Sequence, residues 1–148
     1  MTLPELKKIL QQYQVENLSL YAGHSNDERV YSELMDLLME PCRFVTALSI
    51  DSYNPKFKYV DFYKKLRHLT SLTIDDFTEM IMDLPYFPPK LELEREYSLS
   101  LLAEKTLNHP LSFLKITSKV QLTEIQQFLM VSYCNVFAYS LHFSDSKS

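Results

Sequence analysis

The sequence predicts a mainly α-helical fold: a single domain over residues 1–143, built as a bundle of about six helices, with a small β-hairpin as the α+β alternative. Three observations lead there. The chain carries one glycine, Gly23, in 148 residues, and sheet-rich folds lean on glycine for hairpin turns and bulges. Thr2, Ser25 and Thr123 each stand three residues before a Glu or Gln, the capping-box signature of a helix start. Behind those starts, apolar residues recur at three- and four-residue spacing, which makes one apolar helix face.

The elements follow in order. Thr2–Glu16 reads as a helix, with Pro4 tolerated in the first turn and Leu6, Ile9, Leu10 and Tyr13 on one side. Residues 17–24 are short and ambiguous, with one strand as a reading. Ser25–Glu40 is a second helix with Val30, Leu34, Leu37 and Leu38 as its stripe, stopped by Pro41. Arg43–Ile50 fits a strand or a short helix, so residues 17–22 and 43–50 form the optional hairpin. Asn54-Pro55 opens a third helix continued by Phe62, Leu66 and Leu69. Residues 72–84 read as a helix capped by Thr73, with Leu72 stapled onto Phe77 and Asp75 and Asp76 favouring the dipole. Pro85-Tyr86-Phe87-Pro88-Pro89 separates it from a helix running to about Asn108. The last helix covers Thr123 to about Leu141. From Phe128 to Phe143 it is apolar nearly all round, which suggests a central, buried helix. Ser132, Asn135, Ser140 and His142 argue against a membrane anchor there. No internal repeat, linker or low-complexity stretch is read, and residues 144–148 form a polar tail.

Composition narrows the chemistry. Hydrophobic residues make up 46% and charged residues 23%, values of a globular rather than a disordered chain. A single glycine excludes the glycine-rich phosphate loops and the G-x-S-x-G elbow. The net charge of −4 argues against a general binder of nucleic acid or anionic membrane. Cys42 and Cys134 read as two thiols in a reducing cytosol, with a single disulfide as the alternative. The first residues lack the basic head and apolar stretch of a signal peptide, so the expected location is cytoplasmic.

No catalytic residue, metal site or cofactor site is expected. The histidines His24, His68, His109 and His142 show no ligand spacing. Cys134 lies in the most apolar segment, where a thiol stays protonated. Asp75 and Asp76, as helical neighbours, would point about 100° apart and could not share a proton.

Charge placement is the functional hint. Asp75, Asp76, Glu79, Asp83, Glu92, Glu94 and Glu96 face only Lys90 and Arg95, an acidic surface able to steer a basic protein into contact. Asp75, Asp76, Glu79, Asp83, Glu92 and Glu96 are the expected partner-binding residues, with Tyr86 and Phe87 as anchors. The basic segment 56–67 (Lys56, Lys58, Lys64, Lys65, Arg67) interleaves with aromatics and supports an alternative reading as a nucleic-acid contact.

The stretch Lys64-Lys65-Leu66-Arg67, then Leu72-Thr73-Ile74-Asp75-Asp76-Phe77 and Met80-Ile81, then Leu99, Leu102-Ala103-Glu104 and Leu107-Asn108-His109-Pro110 resembles part of the immunity proteins of bacterial contact-dependent growth inhibition. The resemblance covers about a third of the chain. It implies a small non-enzymatic protein that occludes a basic, nuclease-like toxin. A structural or adaptor subunit of a larger complex and an enzyme with a site of scattered Tyr, His and acids are the other readings.

Overall fold

A computed structural model describes residues 1–21, 28–52, 59–75, 84–94, 99–131 and 138–143. It overturns the expected helical bundle: the fold is α/β, organised on one sheet of six strands, all parallel. The elements in chain order are α1 (Leu3–Leu10), β1 (Asn17–Tyr21), α2 (Glu28–Leu38), β2 (Ala47–Ser52), α3 (Tyr59–Lys65), β3 (Ser71–Ile74), β4 (Lys90–Leu93), α4 (Leu99–Thr106), β5 (Phe113–Val120), α5 (Leu122–Val131) and β6 (Ala138–Phe143).

The glycine argument fails for a definite reason. Parallel strands are joined by crossovers, not by tight hairpin turns, so a parallel sheet does not need hairpin glycines. The expected hairpin is likewise absent, because β1 and β2 pair in parallel, with α2 in the connection between them. Leu72 and Thr73, read as the staple and cap of a helix, lie inside β3; the rest of that expected helix, residues 76–83, lies outside the described residues. The helix expected up to Asn108 is instead β4 followed by α4. The expected central helix 123–141 is α5 followed by β6. Thr2 does cap α1: its hydroxyl accepts from the Glu5 amide, and the Glu5 carboxylate accepts from the Thr2 amide at 2.8 Å. Those bonds hold the Glu5 carboxyl below its usual value.

Spatial order in the sheet follows sequence order, β1 through β6. The register aligns Leu18, Leu48, Leu72, Leu91 and Leu114 in one row and Leu20, Ile50, Ile74, Leu93 and Ile116 in the next alternate row. Three residues before the first row stand Val15, Val45, Leu69, Pro88 and Leu111. The chain therefore repeats an apolar i, i+3, i+5 pattern, at intervals of 30, 24, 19 and 23 residues between successive leucines of the first row. This corrects the reading that the sequence lacks a repeat. Two of these intervals, 24 and 23, fall in the 20–29 residues of leucine-rich repeats, and each segment adds one strand beside the last, as the turns of a solenoid do.

The core lies on one side of the sheet. Leu48, Ile50, Leu72, Ile74, Leu91, Leu93, Leu114 and Ile116 are buried there with Met35 and Leu38 of α2, Phe62 and Tyr63 of α3, Leu102 and Ala103 of α4, and Ile125 and Phe128 of α5. Side chains alternate across a strand, and their neighbours on the opposite face are half-buried or exposed. Among the described residues the helices thus cover one face, and none of them covers the other.

The strand entries are tied by a hydroxyl ladder. The Thr46 amide and hydroxyl both donate to Glu16 O, at 2.9 and 3.3 Å; those of Thr70 donate to Thr46 O, at 2.8 and 3.1 Å; those of Ser112 donate to Pro89 O, at 2.8 and 3.2 Å. Rings also meet along the connections in tilted pairs: Tyr63 with Tyr86 at 5.5 Å, and Tyr86 with His109 at 5.6 Å.

Candidate interaction face

The face of the sheet opposite the helices carries no covering layer among the described residues. Its floor over β1 to β3 is small and polar: Asn17 and Ser19, Ala47 and Ser49, Ser71 and Thr73. Over β4 and β5 it becomes larger and charged, with Lys90, Glu92, Phe113 and Lys115. Glu92 and Lys115 stand opposite each other in register, and the Lys115 ammonium meets the Glu92 carboxylate at 3.1 Å. An ion pair this exposed contributes roughly 0.2–1 kcal/mol.

At the strand exits the same register places carboxylates side by side. The residues that follow the row of Ile50, Ile74 and Leu93 are Asp51, Asp75 and Glu94. The Asp75 amide donates to Ile50 O at 3.1 Å and the Glu94 amide to Ile74 O at 3.0 Å, so the ladder carries this row on. Adjacent strands lie about 4.8 Å apart.

The expected binding residues separate under this geometry. Glu92 lies within β4, and Asp75 follows the last residue of β3, its amide donating to Ile50 O. Phe87 is buried in the core at 3% exposure, so it anchors the fold rather than a partner. Tyr86 is half-buried between Tyr63 and His109, and its carbonyl accepts from the Tyr63 hydroxyl at 2.9 Å. Asp76, Glu79, Asp83 and Glu96 lie outside the described residues. The sequence reading missed Asp51, Ser49, Thr73 and Lys115 as members of the face. The signal for them is the single residue between the paired apolar positions, as in Leu48-Ser49-Ile50 and Leu72-Thr73-Ile74.

Opposite charge gathers at the strand entries. Arg43, Lys64, Lys65 and Arg67 line a cleft of about 420 Å³ together with Asp36, Met39 and Glu40. Arg43 is committed to Glu40 at 2.7 Å and to the ring of Phe44 at 4.6 Å, and Phe44 stacks on His68. Two carboxylates therefore interrupt the expected basic surface; Lys56 and Lys58 lie outside the described residues. Cys42 is fully buried, and burial pushes its thiol up to about 11. Cys134 lies outside the described residues.

Among the described residues no group of three or more His, Cys, Asp or Glu is placed to hold a metal ion, and no helix is long and apolar enough to cross a membrane. Compared with protein-family models, curated proteins and solved structures, the chain matches none.

Proposed function

We propose that this chain is a non-catalytic protein-binding module whose sheet face opposite the helices receives a partner with a basic surface. The observation that carries the reading is the register row of Asp51, Asp75 and Glu94 beside a floor of small side chains that no described helix covers. A floor of Ser, Thr and Ala lets a partner approach the sheet closely, and its hydroxyls offer hydrogen bonds in either sense. The carboxylates supply steering and register more than affinity. Solenoids commonly use such extended faces for binding.

Occlusion of a basic toxin is the narrower form of this proposal, and an adaptor role in a larger complex is the other. The toxin form draws on the resemblance that includes Leu72–Ile74 as a helix start, and those residues form β3. The broader statement, a basic protein partner, rests on the face alone.

A photo-crosslinking residue placed at Ser49 or Thr73, and in parallel at Gln126 on the helical side, tests the proposal. Capture should be specific to the sheet face. The captured partner should then associate more slowly with Asp51→Lys and Glu94→Lys variants, with a smaller dependence on salt. Equal capture from Gln126, or on-rates unchanged by the reversals, would refute the assignment.

A further inference from the structure

A second concavity lies away from the sheet face described above. It is a groove of about 1020 Å³ between α1, the turn over residues 11–14, α2 and the segment Pro41–Phe44. Leu3 and Leu10 from α1 meet Leu37 and Phe44 across it as an apolar floor, and Glu33 and Asp36 form the wall on α2. Glu33 and Asp36 stand at i and i+3 of α2, so they share one side of that helix, and Glu40 follows in the turn after its end. Glu40 is engaged by Arg43 at 2.7 Å, which closes the acidic wall at one end. Lys7 stands on the α1 rim.

α1 is a well-capped amphipathic helix that contains no buried residue. Its apolar stripe is therefore only partly used by packing on α2. Ile9 is left 43% exposed.

We infer that this groove docks a basic amphipathic α-helix of a partner protein. An apolar floor with Glu33 and Asp36 along its α2 side matches a helix with a leucine-rich stripe and lysines or arginines along one flank, the helix-in-groove mode. The dimensions agree. Two turns of α-helix are about 11 Å long and 10–12 Å across with side chains, displacing roughly 850–1200 Å³. The groove's volume is thus of the order of two helical turns. This site is independent of the sheet face, so either can fail without the other.

The test uses the full chain and three fluorescein-labelled 16-residue peptides, read by anisotropy. One is a Leu/Lys peptide with leucines at i, i+3, i+4 and i+7; the second has Glu in place of Lys; the third is the Leu/Lys composition scrambled. The Leu/Lys helix should bind at least tenfold tighter than either control. Glu33→Lys with Asp36→Lys should weaken it at least tenfold. Lys7→Glu should tighten it a few-fold, an effect that loss of folding cannot imitate. Equal binding of the scrambled peptide, or wild-type affinity in the Glu33→Lys/Asp36→Lys variant, would overturn the inference. So would loss of binding on Glu92→Lys, which would move the site to the sheet face.

Discussion

Two neighbouring substitutions, Leu72→Ala and Thr73→Val, separate the solenoid from the helix that the same residues suggest. In the solenoid Leu72 is fully buried between Leu48 and Leu91 of the adjoining strands. Removing three carbons there forfeits about 2.4 kcal/mol of transfer free energy. The residual cavity raises the cost toward about 3–4 kcal/mol. At about 2–4 °C per kcal/mol for a chain of this size, the melting temperature falls by roughly 6–16 °C. Thr73 sits on the half-exposed opposite face of the same strand. Valine suits a strand as well as threonine does, so Thr73→Val should change stability by less than about 0.5 kcal/mol. A helix capped by Thr73 would give the reverse pattern. Losing the cap hydroxyl would cost about 1 kcal/mol, and trimming a staple leucine outside the helix would cost less than a core cavity. Thermal unfolding followed by circular dichroism reads both. A small loss at Leu72 with a clear loss at Thr73 would refute the strand assignment.

The remaining predictions concern single groups. Cys42 should resist a thiol reagent such as DTNB in the native protein and react on unfolding, because it is buried and its thiol is pushed up to about 11. The folded state keeps this proton while the unfolded state loses it from about pH 9, so stability falls as pH rises from there to about 11, and Cys42→Ala removes that part of the slope. Tyr63, pushed upward by burial first and by the Tyr86 phenol second, has the same sign: stability falls above about pH 10, where the unfolded phenol ionises. Tyr63→Phe should flatten that alkaline limb; at neutral pH it should cost about 1–3 kcal/mol, because the Tyr86 carbonyl loses its 2.9 Å donor. A double-mutant cycle on Glu92 and Lys115 should return roughly 0.2–1 kcal/mol; a coupling well above that would mean a drier face than the described burial allows.

How far the fold was legible depends on the element. The cap at Thr2 and the presence of α1 and α2 could be read, because local hydrogen bonding and 3.6-residue periodicity mark them. But α1 ends at Leu10 rather than Glu16, Ile9, Tyr13 and Val30 of the expected stripes are exposed, and Met35 is buried instead. The strands could not be read. β3 and β4 are four residues each, so each shows only one apolar alternation. The i, i+3 step from Leu69 to Leu72 imitates a helix. The recurrence was hidden because its intervals range from 19 to 30 residues, so no fixed period shows in the sequence. Tyr86 and Phe87 looked like surface anchors from composition alone; it is the turn of the solenoid that draws Phe87 into the core. The acidic bias at Asp75 and Glu92 was visible, but its alignment with Asp51 across strands is a matter of register, which sequence proximity does not carry.

Backbone NMR gives the most direct decision on whether Ser49, Thr73 and Glu92 share one sheet face. The account predicts strand-type secondary shifts over residues 71–74 and 90–93, with inter-strand contacts running from Leu48 to Leu72 to Leu91 to Leu114. Helical shifts at 73–74 and 90–93, without those contacts, would contradict it.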